Sequence, residues 1–489
     1  MKHIDALAIA LILGIMTVQA QNQTLTLTLD QTIEIATDNS LQAFKAENIY
    51  QASYWEFISY KAARLPSLNL TMTPIQYNRD IKQRYNFDTD MDFYREQQSL
   101  YSYGNLSVRQ NFDLTGGTFF LDSDLGFFRN FGDTIYSQFT SVPIRIGYSQ
   151  DLFGFNSFKW EKKIEPLKYK KAKQQYLYNR ESISEQTTGY FFSLAMAQAE
   201  YDMALENVSS SDTLYRIGEE RHKIAAISQA DLLTLKLDAL NAKNTLKNAD
   251  IKLKRAMFSL VSYLNLDQEA QIRIVLPEIP VDSYILEEEA LQYVTENNPD
   301  FLGYQQTILE AEREVDRTMK TSNFDASFSA SIGFNRVAED LREAYRNPLQ
   351  QNIVSLSLKI PLIDWGVRKG KANMAKSNLN VTRLSVEQEK QSLEQDVVLT
   401  VSDFNAQKNM IRSAEEALNL ANMAYNNTKE RFIIGKADIN SLTLSLNRQD
   451  TARKNYISAL NEYWISYYKI RKLTLFDFEK KEPLSITKN

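Results

Sequence analysis

Proline is distributed very unevenly in this chain of 489 residues. None occurs between Pro166 and Pro277, and none occurs between Pro361 and Pro483. Because proline breaks the interior of a helix, both long stretches are free to form long helices. The other prolines lie mostly between 66 and 166 and between 277 and 370, where we expect strands and turns.

The two proline-free stretches are copies of one another at an offset of 210 residues. Each carries apolar residues at the alternating four-and-three spacing of a coiled-coil seam, with two weaker polar positions in each copy, Thr187 and Ser211 in the first and Thr400 and Gln407 in the second. The second copy has Leu393, Val397, Phe404, Ile411, Ala414, Leu418, Ala421 and Tyr425, and the first has Ile183, Tyr190, Leu194, Ala197, Tyr201, Ala204, Val208 and Tyr215. A second seam recurs at 242–260 and 452–470, so each copy predicts two helices joined by a turn.

The predicted helices differ in length. A helix over 159–223 would be roughly 95 to 100 Å long at 1.5 Å per residue, and its partner over 229–264 would be about half as long. A further helix at 300–320 has a copy at 41–64. Two short helices stacked end to end would match one long helix.

Pairs of strands are predicted between the short and the long helices, because apolar and polar residues alternate there. The apolar positions are Leu68, Leu70, Met72, Ile144, Ile146 and Tyr148 in the first copy, and Phe328, Ala330, Ile332, Val354, Leu356, Leu358 and Ile360 in the second. The offset between the copies is 258 residues before the hairpin and 210 after it, so the first hairpin carries about 48 extra residues, at about 78–140. Strand-like runs at 106–112 and 118–128 leave two possibilities for this insert, a larger loop or additional barrel strands.

These patterns predict a signal peptide at 1–20, a first repeat at 21–283, a second repeat at 284–475 and a tail at 476–489. The signal peptide rests on Lys2, an apolar run and the small residue Ala20. In the first repeat we expect a strand hairpin at about 66–152 and a helical hairpin at about 158–264. In the second repeat we expect them at about 324–362 and 367–474.

No later segment supplies the roughly twenty consecutive apolar residues of a membrane helix, so we expect this chain to enter a membrane only as a β-barrel. Four strands cannot close a barrel that leads anywhere, because even eight strands fill their interior with side chains. Three chains would contribute twelve strands and leave no edge exposed. The predicted fold is therefore an α+β membrane protein, a two-repeat protomer of a trimeric twelve-stranded β-barrel continued by a long α-helical coiled-coil barrel. A structural coiled-coil or adhesin is the alternative from another class.

Composition argues against an enzyme. The chain has no cysteine, and His222 is its only histidine beyond the predicted signal peptide. A metal cluster or a hydrolytic triad therefore lacks its residues, and we expect no catalytic residue, no metal and no cofactor. The net charge of -5 gives no basic excess, so nucleic acid is not an expected partner.

Several short motifs recur in a recognisable order. They are the lead-ins Thr37-Asp38-Asn39 and Thr295-Glu296-Asn297-Asn298-Pro299, the junction Pro361-Leu362-Ile363-Asp364-Trp365-Gly366 and the turn Arg431-Phe432-Ile433-Ile434-Gly435. Their order in two copies resembles the TolC-like outer membrane efflux protein family over essentially the whole mature chain. The resemblance implies a homotrimer in outer membrane lipid, with a helical barrel crossing the periplasm and an equatorial belt partly made by the C-terminal segment. It also implies a periplasmic adaptor and an inner-membrane transporter as partners, and passive conduction of small molecules or, alternatively, type I export of polypeptides.

The resemblance further assigns roles to the two helical turns. It implies that Ala225, Ala226, Ile227 and Ser228, with Gly435, Lys436 and Ala437, form the periplasmic tip that an adaptor contacts; a turn that any helical hairpin needs is the alternative. Asp231, Asp438 and Ser441 are the candidate pore constriction, because rings of acidic side chains select cations; solvated aspartates of an ordinary turn are the alternative. The family has glycine in both turns and an acidic residue at both later positions, whereas this chain has Ala225 and Ser441. The resemblance therefore does not carry a doubled acidic constriction over to this chain.

Overall fold

The computed structural model describes residues 25–131, 135–278, 284–322 and 324–486, so the predicted signal peptide at 1–20 lies outside the described residues. The described chain is α+β and forms two compact units. The first unit consists of described residues within 1–50, 173–299 and 391–489, and the second of those within 51–172 and 300–390. Each unit therefore takes segments from both predicted repeats, and the repeat boundaries stay a prediction.

The described helices occur in two matching sets. The first set is α1 (Leu29–Asn39), α2 (Leu41–Ala62), α3 (Ser157–Lys223) and α4 (Gln229–Tyr263). The second set is α5 (Glu287–Asn297), α6 (Pro299–Thr321), α8 (Val367–Ile433) and α9 (Ile439–Thr474), with the one-turn helix α7 (Leu341–Ala344) between α6 and α8. Helices α3 and α8 have 67 residues each, which corresponds to roughly 100 Å. None of the described helices combines the length and the apolar character needed to cross a bilayer.

The strands of the described chain are β1 (Leu25–Leu27), β2 (Ser67–Asn86), β3 (Met91–Phe112), β4 (Gly117–Asn130), β5 (Tyr136–Leu152), β6 (Ile272–Ile274), β7 (Asp325–Ala338), β8 (Leu349–Lys359), β9 (Phe476–Asp477) and β10 (Glu482–Pro483). Six of them form one antiparallel sheet in the order β2-β3-β4-β5-β7-β8. This sheet lies in the second unit. The pairs β1–β6 and β9–β10 lie in the first unit.

The expectation of four strands per chain is wrong, because the described sheet has six. The extra strands come from the insert at 78–140, whose predicted runs at 106–112 and 118–128 lie in β3 and β4. The insert thus extends the sheet instead of forming a loop. The twelve-stranded barrel rested on four strands per chain, and it stays a prediction that this strand count does not support.

Strands β2 and β3 continue past the end of β4. Strand β4 pairs with β3 only as far as Asn130, which lies opposite Ser99. Beyond that level β2 and β3 pair with each other alone, from Arg79 opposite Gln98 to Asn86 opposite Met91. We call this two-stranded part, residues 79–98, the distal ribbon. Two-stranded ribbons gain little burial, so the rest of the sheet supplies most of the stability of this hairpin.

The predicted helical seams lie in the interior of the first unit. Leu194, Phe404 and Ile411 are fully buried, whereas the predicted seam residue Tyr190 is 38% exposed. Near β1 and β6, a cluster of buried apolar residues joins α1 to α4; its members are Leu27, Ala36, Ala43, Ile183, Leu194, Leu260, Val261, Leu264 and Ile272. Side chains three and four residues apart share one helix face, which explains why the four-and-three spacing is buried.

Candidate functional site

One face of the six-stranded sheet is apolar from strand to strand. The register places Leu68, Val108, Leu121, Ile146 and Ile332 side by side on β2, β3, β4, β5 and β7. Side chains on this face are open to the surroundings, and Leu68 is 65% and Ile332 54% exposed. On β8 this row ends at the polar Asn352, and the same face carries Val354, Leu356 and Leu358, which are also exposed.

The opposite face of the sheet is polar. The neighbouring row of the register consists of Asn69, Ser107, Asp122, Arg145 and Gln351, with Gly333 between the last two. Ser107 and Asp122 are buried although they are polar. A sheet in a water-soluble protein usually turns its apolar face inward. This sheet has the reverse arrangement, which is typical of strands that face lipid on one side and a polar lumen on the other.

An ionic cluster holds the polar face together across three strands. The Arg145 guanidinium on β5 lies 3.0 Å from Asp122 Oδ2 and 3.3 Å from Asp124 Oδ2, both on β4. The Tyr103 hydroxyl on β3 donates to Asp124 Oδ1 at 2.8 Å, and Asn105 also donates to this oxygen. Sequence reasoning missed this cluster, although the alternation of Asp122 and Asp124 places both carboxylates on one face of a strand.

The two predicted helical turns have the same backbone geometry. At the end of α3, the Ala225 N–H donates to His222 O at 2.9 Å and the Ala226 N–H donates to Arg221 O at 2.8 Å. At the end of α8, the N–H groups of Gly435 and Lys436 make the equivalent bonds, 210 residues later. Both turns are Schellman motifs, in which the residue after the helix takes a left-handed conformation.

That conformation has a different cost in the two turns. The φ angle is 56° at Ala225 and 80° at Gly435. A left-handed conformation costs a residue with a Cβ atom roughly 1–2 kcal/mol, and it costs glycine almost nothing. The substitution of alanine for the expected glycine therefore preserves the first turn, but with strain.

The candidate constriction residues cap the two returning helices. Ser228 caps α4 and accepts from the Asp231 N–H at 3.1 Å, while the Asp231 carboxylate accepts from the Ser228 N–H at 3.1 Å. In the second turn the roles are exchanged, because Asp438 caps α9 and accepts from the Ser441 N–H at 2.7 Å. The hydrogen bonds donated by Ser441 lower the pKa of Asp438 below its ordinary value. The capping residue holds the same position in both turns, but in the second turn it carries the carboxylate and the residue three positions later, Ser441, carries the hydroxyl.

The structure brings the two turns together. The Arg221 guanidinium at the end of α3 donates to Ile433 O at the end of α8, at 3.1 Å, and lies over the Phe432 ring. Beneath them Leu235, Tyr425, Phe432 and Leu442 form a buried cluster, and Ile227 and Ala437 from the two turns pack against it. Asp231, Asp438 and Ser441 are exposed beside this cluster.

A groove runs along the second helical hairpin. It has a volume of about 1120 Å³ and is lined by small and polar side chains of α8, α9 and their turn, including Arg431, Lys436, Asp438 and Ser441. Leu420 and Leu444, which also line the groove, are more than half exposed.

The end of α9 is tied to the C-terminal segment by buried charges. The Arg471 Nε lies 3.1 Å from Glu181 Oε2 on α3, and Arg471 Nη1 lies 3.1 Å from Asp477 Oδ2 on β9. Tyr467 donates to Asp477 Oδ1 at 3.1 Å, and burial raises the pKa of its hydroxyl. The ring of Phe476 stacks on Tyr293 of α5 with 3.9 Å between the centroids.

Part of the chain is similar in sequence to known proteins. Residues 290–474 match the model of the family described as Outer membrane efflux protein. Over 244 residues, or 48% of this chain, the sequence is 22% identical to the Toxin and drug export protein A of Aggregatibacter actinomycetemcomitans. That match spans 52%, or about half, of the relative's length.

Solved outer membrane channels share the fold. The CmeC channel of Campylobacter jejuni matches 94% of this chain with 87% of its own, at a TM-score of 0.65 and 12% identity. VceC of Vibrio cholerae matches 94% with 97% of its own, at a TM-score of 0.63 and 14% identity. Together, the family match in the second half and the fold shared over most of the chain confirm the resemblance to the TolC-like outer membrane efflux protein family.

Proposed function

We propose that this protein is the outer membrane channel of a tripartite efflux system, and that it conducts small molecules passively across the periplasm and the outer membrane. The observation that carries the proposal is the reversed polarity of the sheet. Its apolar face is exposed and its polar face holds the buried cluster of Asp122, Asp124 and Arg145. A lipid-facing surface and a polar lumen account for both properties at once.

A homotrimer is the assembly that this proposal requires. The outer edges of β2 and β8 have no strand partner within the described chain. Unpaired backbone groups are costly in hydrocarbon, so the edges must close against other copies. The long helices α3 and α8 would then form the periplasmic part of the duct, with a periplasmic adaptor and an inner-membrane transporter as partners.

The adaptor would contact the two turns, at 225–228 and 435–437, and the groove beside the second turn. The shared Schellman geometry and the packed cluster beneath the turns support a rigid docking surface. Replacing Gly435 by valine should abolish transport while trimers remain intact. The matched control is Gly370→Val near the start of α8, far from both turns, where an added Cβ atom would meet nothing within 4 Å. Unchanged transport in the Gly435 variant would exclude this role.

Asp231 and Asp438 would form acidic rings at the constriction, with Ser441 beside them. Both carboxylates are exposed while they serve as caps. Asparagine is also a good capping residue, so Asp438→Asn removes the charge and retains the cap. In planar bilayers, the variant carrying Asp231→Asn and Asp438→Asn should lose cation selectivity. Identical reversal potentials for the variant and the unmodified protein would rule out the rings.

The direct test of the channel uses the purified full chain in planar bilayers. We expect stable conductance steps and a trimer that needs detergent for extraction and dissociates on heating. A structural coiled coil or adhesin, the alternative from another class, would be extracted without detergent and would give no conductance. That result would end the proposal.

Polypeptide export by a type I system is the second candidate function within the same architecture. The relative that matches about half of this chain is named for the export of both toxins and drugs, so both classes of cargo are candidates. Deletion of the protein separates them. Increased drug sensitivity with an unchanged secreted proteome supports small-molecule efflux, and the reverse result supports polypeptide export.

A further inference from the structure

We propose that the barrel of this protein has eighteen strands, because β2 of each copy pairs with β8 of a second copy while all six strands of each sheet stay in the barrel wall. The inference rests on the trimer of the proposed function. Three copies of a six-stranded sheet supply eighteen strands. The alternative is a twelve-stranded wall from which β3 and β4 are excluded as a separate hairpin.

The side chains of β3 and β4 suit a position in the wall. Val108 and Leu106 on β3 lie opposite Leu121 and Ser123 on β4, on the same face as Leu68 of β2. The row from Leu68 through Val108 and Leu121 therefore crosses the additional strands without interruption, and Ser123 is the polar member of the row beside it. On the other face, Tyr103, Asp122 and Asp124 of these strands are tied to Arg145 of β5. A hairpin excluded from the wall would break this ionic cluster, and leaving a buried charge without its partner is costly.

The two free edges also fit each other. Strands β2 and β8 run in opposite directions, because each pairs antiparallel with its inner neighbour and the sheet has six strands. The part of β2 below the distal ribbon, residues 67–78, is about as long as β8 (Leu349–Lys359). Pro74 lacks an N–H group, but it lies at the β-bulge of β2, where a missing ladder bond is tolerated.

Side-chain parity restricts how the edges can pair. On β2, Leu70 and Met72 lie on the apolar face and Thr71 and Thr73 on the polar face. On β8, Leu356 lies on the apolar face and Ser355 on the polar face. A slip of one residue would turn apolar side chains of one copy into the lumen. Parity therefore excludes Met72 as the partner of Ser355. Ser355 lies four residues before the end of β8 and Thr71 four residues after the start of β2, so among the polar-face positions we expect Ser355 to meet Thr71 or Thr73 of the second copy.

The strand number determines the width of the pore. Strands lie about 4.8 Å apart and tilt by about 40° in barrels. Eighteen strands then give a backbone-to-backbone diameter of roughly 36 Å, whereas twelve give roughly 24 Å. An eighteen-stranded barrel leaves an aqueous channel as wide as that of a porin.

Cysteine pairs test the edge contact, because the chain has no cysteine of its own. Ser355→Cys is combined with Thr71→Cys or Thr73→Cys in the full-length protein, and oxidised trimers are analysed on denaturing gels without reductant. We expect one of the two pairs to shift the chain from the monomer position to a covalent trimer. The matched control, Ser355→Cys with Met72→Cys, should remain monomeric because its sulfurs lie on opposite faces. A crosslink that stays within the monomer, or trimers without any crosslink, would overturn the edge contact.

A second pair tests whether β3 remains beside β2 in the same trimers. Asn69 lies opposite Ser107 on the polar face, so Asn69→Cys with Ser107→Cys should crosslink within the chain. The barrel diameter in single-particle images of the unmodified trimer is the independent measurement, with roughly 36 Å expected. Conducting trimers of roughly 24 Å, without the β2–β3 crosslink, would refute eighteen strands and leave the proposed channel standing. If the unmodified protein forms no trimers and gives no conductance, the proposed channel itself is refuted.

Discussion

The polarity of the sheet predicts the effect of a charge placed on either face of one strand. Ile332 and Ser331 are neighbours in the middle of β7, and the register puts Ile332 on the apolar face beside Ile146 and Ser331 on the polar face beside Gly147. Arginine on the lipid face of a barrel at the bilayer midplane costs roughly 2–4 kcal/mol. Because every copy carries the change, Ile332→Arg should destabilise a trimer by roughly 6–12 kcal/mol. Ser331→Arg should cost far less, since its guanidinium would reach the aqueous lumen.

The assay is reversible unfolding by urea in phospholipid vesicles, followed by tryptophan fluorescence and by heat-dependent gel mobility. The two variants add the same side chain at adjacent positions, so helix packing and expression affect them alike. We expect a lower unfolding midpoint only for Ile332→Arg. If both variants lose the same free energy, or if Ser331→Arg loses more, the apolar face does not meet lipid and the reasoning fails.

Three further changes test the turns and the C-terminal network. Ala225→Gly should stabilise each copy by roughly 1 kcal/mol in thermal melts because it removes left-handed strain. Gly435→Ala should destabilise each copy, since it introduces that strain and its new Cβ would lie 2.8 Å from Arg221 Nη2. Arg471→Met should cost each copy roughly 3–5 kcal/mol in urea unfolding, because it leaves two buried carboxylates without their cation; a neutral result would exclude a stabilising network. The lowered pKa of Asp438 means that its cap adds stability above pH 3.8, the ordinary Asp value, and loses it as the pH falls through the lowered pKa. Melting temperatures should therefore fall more steeply with acid in the unmodified protein than in Asp438→Asn, and parallel curves would contradict this.

Much of the helical fold could be predicted from the sequence, because the evidence for it is long and periodic. The seam through Leu194 and Phe404 repeats every three or four residues, and both side chains are buried. The helices α3 and α8 accordingly lie where proline is scarce. Turn geometry was also predictable, since Gly435 takes the left-handed conformation expected after a helix.

The number of strands could not be predicted from the sequence as well as the helices could. Alternation in β3 is interrupted by Tyr103, and in β4 Ser123 stands on the apolar face. The sequence signal of a barrel strand is weak, because the segment is short and only every second residue faces the lipid and must be apolar. The cluster of Asp122, Asp124 and Arg145 depends on register between strands, and the network around Arg471 joins residues far apart in the chain. Neither contact has a local sequence signature.

The exchange of capping roles at the two turns was missed for a different reason. Asp231 and Ser441 occupy equivalent positions in the two copies. Aligning the copies therefore suggests that the second turn has lost its acidic residue. The hydrogen bonds instead show that the acid has moved to Asp438, at the cap itself. Both turns keep one carboxylate and one hydroxyl. Only the pairing of atoms reveals that the chemistry is retained.

The equal length of α3 and α8 constrains how such a duct can change its reach. Each has 67 residues, and each is followed by a helix that returns along it. We call α3 and α8 the outgoing arms and α4 and α9 the returning arms. An insertion in one of these four helices alone would shift its apolar seam out of phase with its neighbours and leave the other three helices too short to pack along it. Seven residues added at equivalent points of both outgoing and both returning arms would keep every seam in phase and lengthen the duct by roughly 10 Å. Natural or designed versions of this chain should therefore differ in length by whole heptads, with one heptad inserted in each of the four helices.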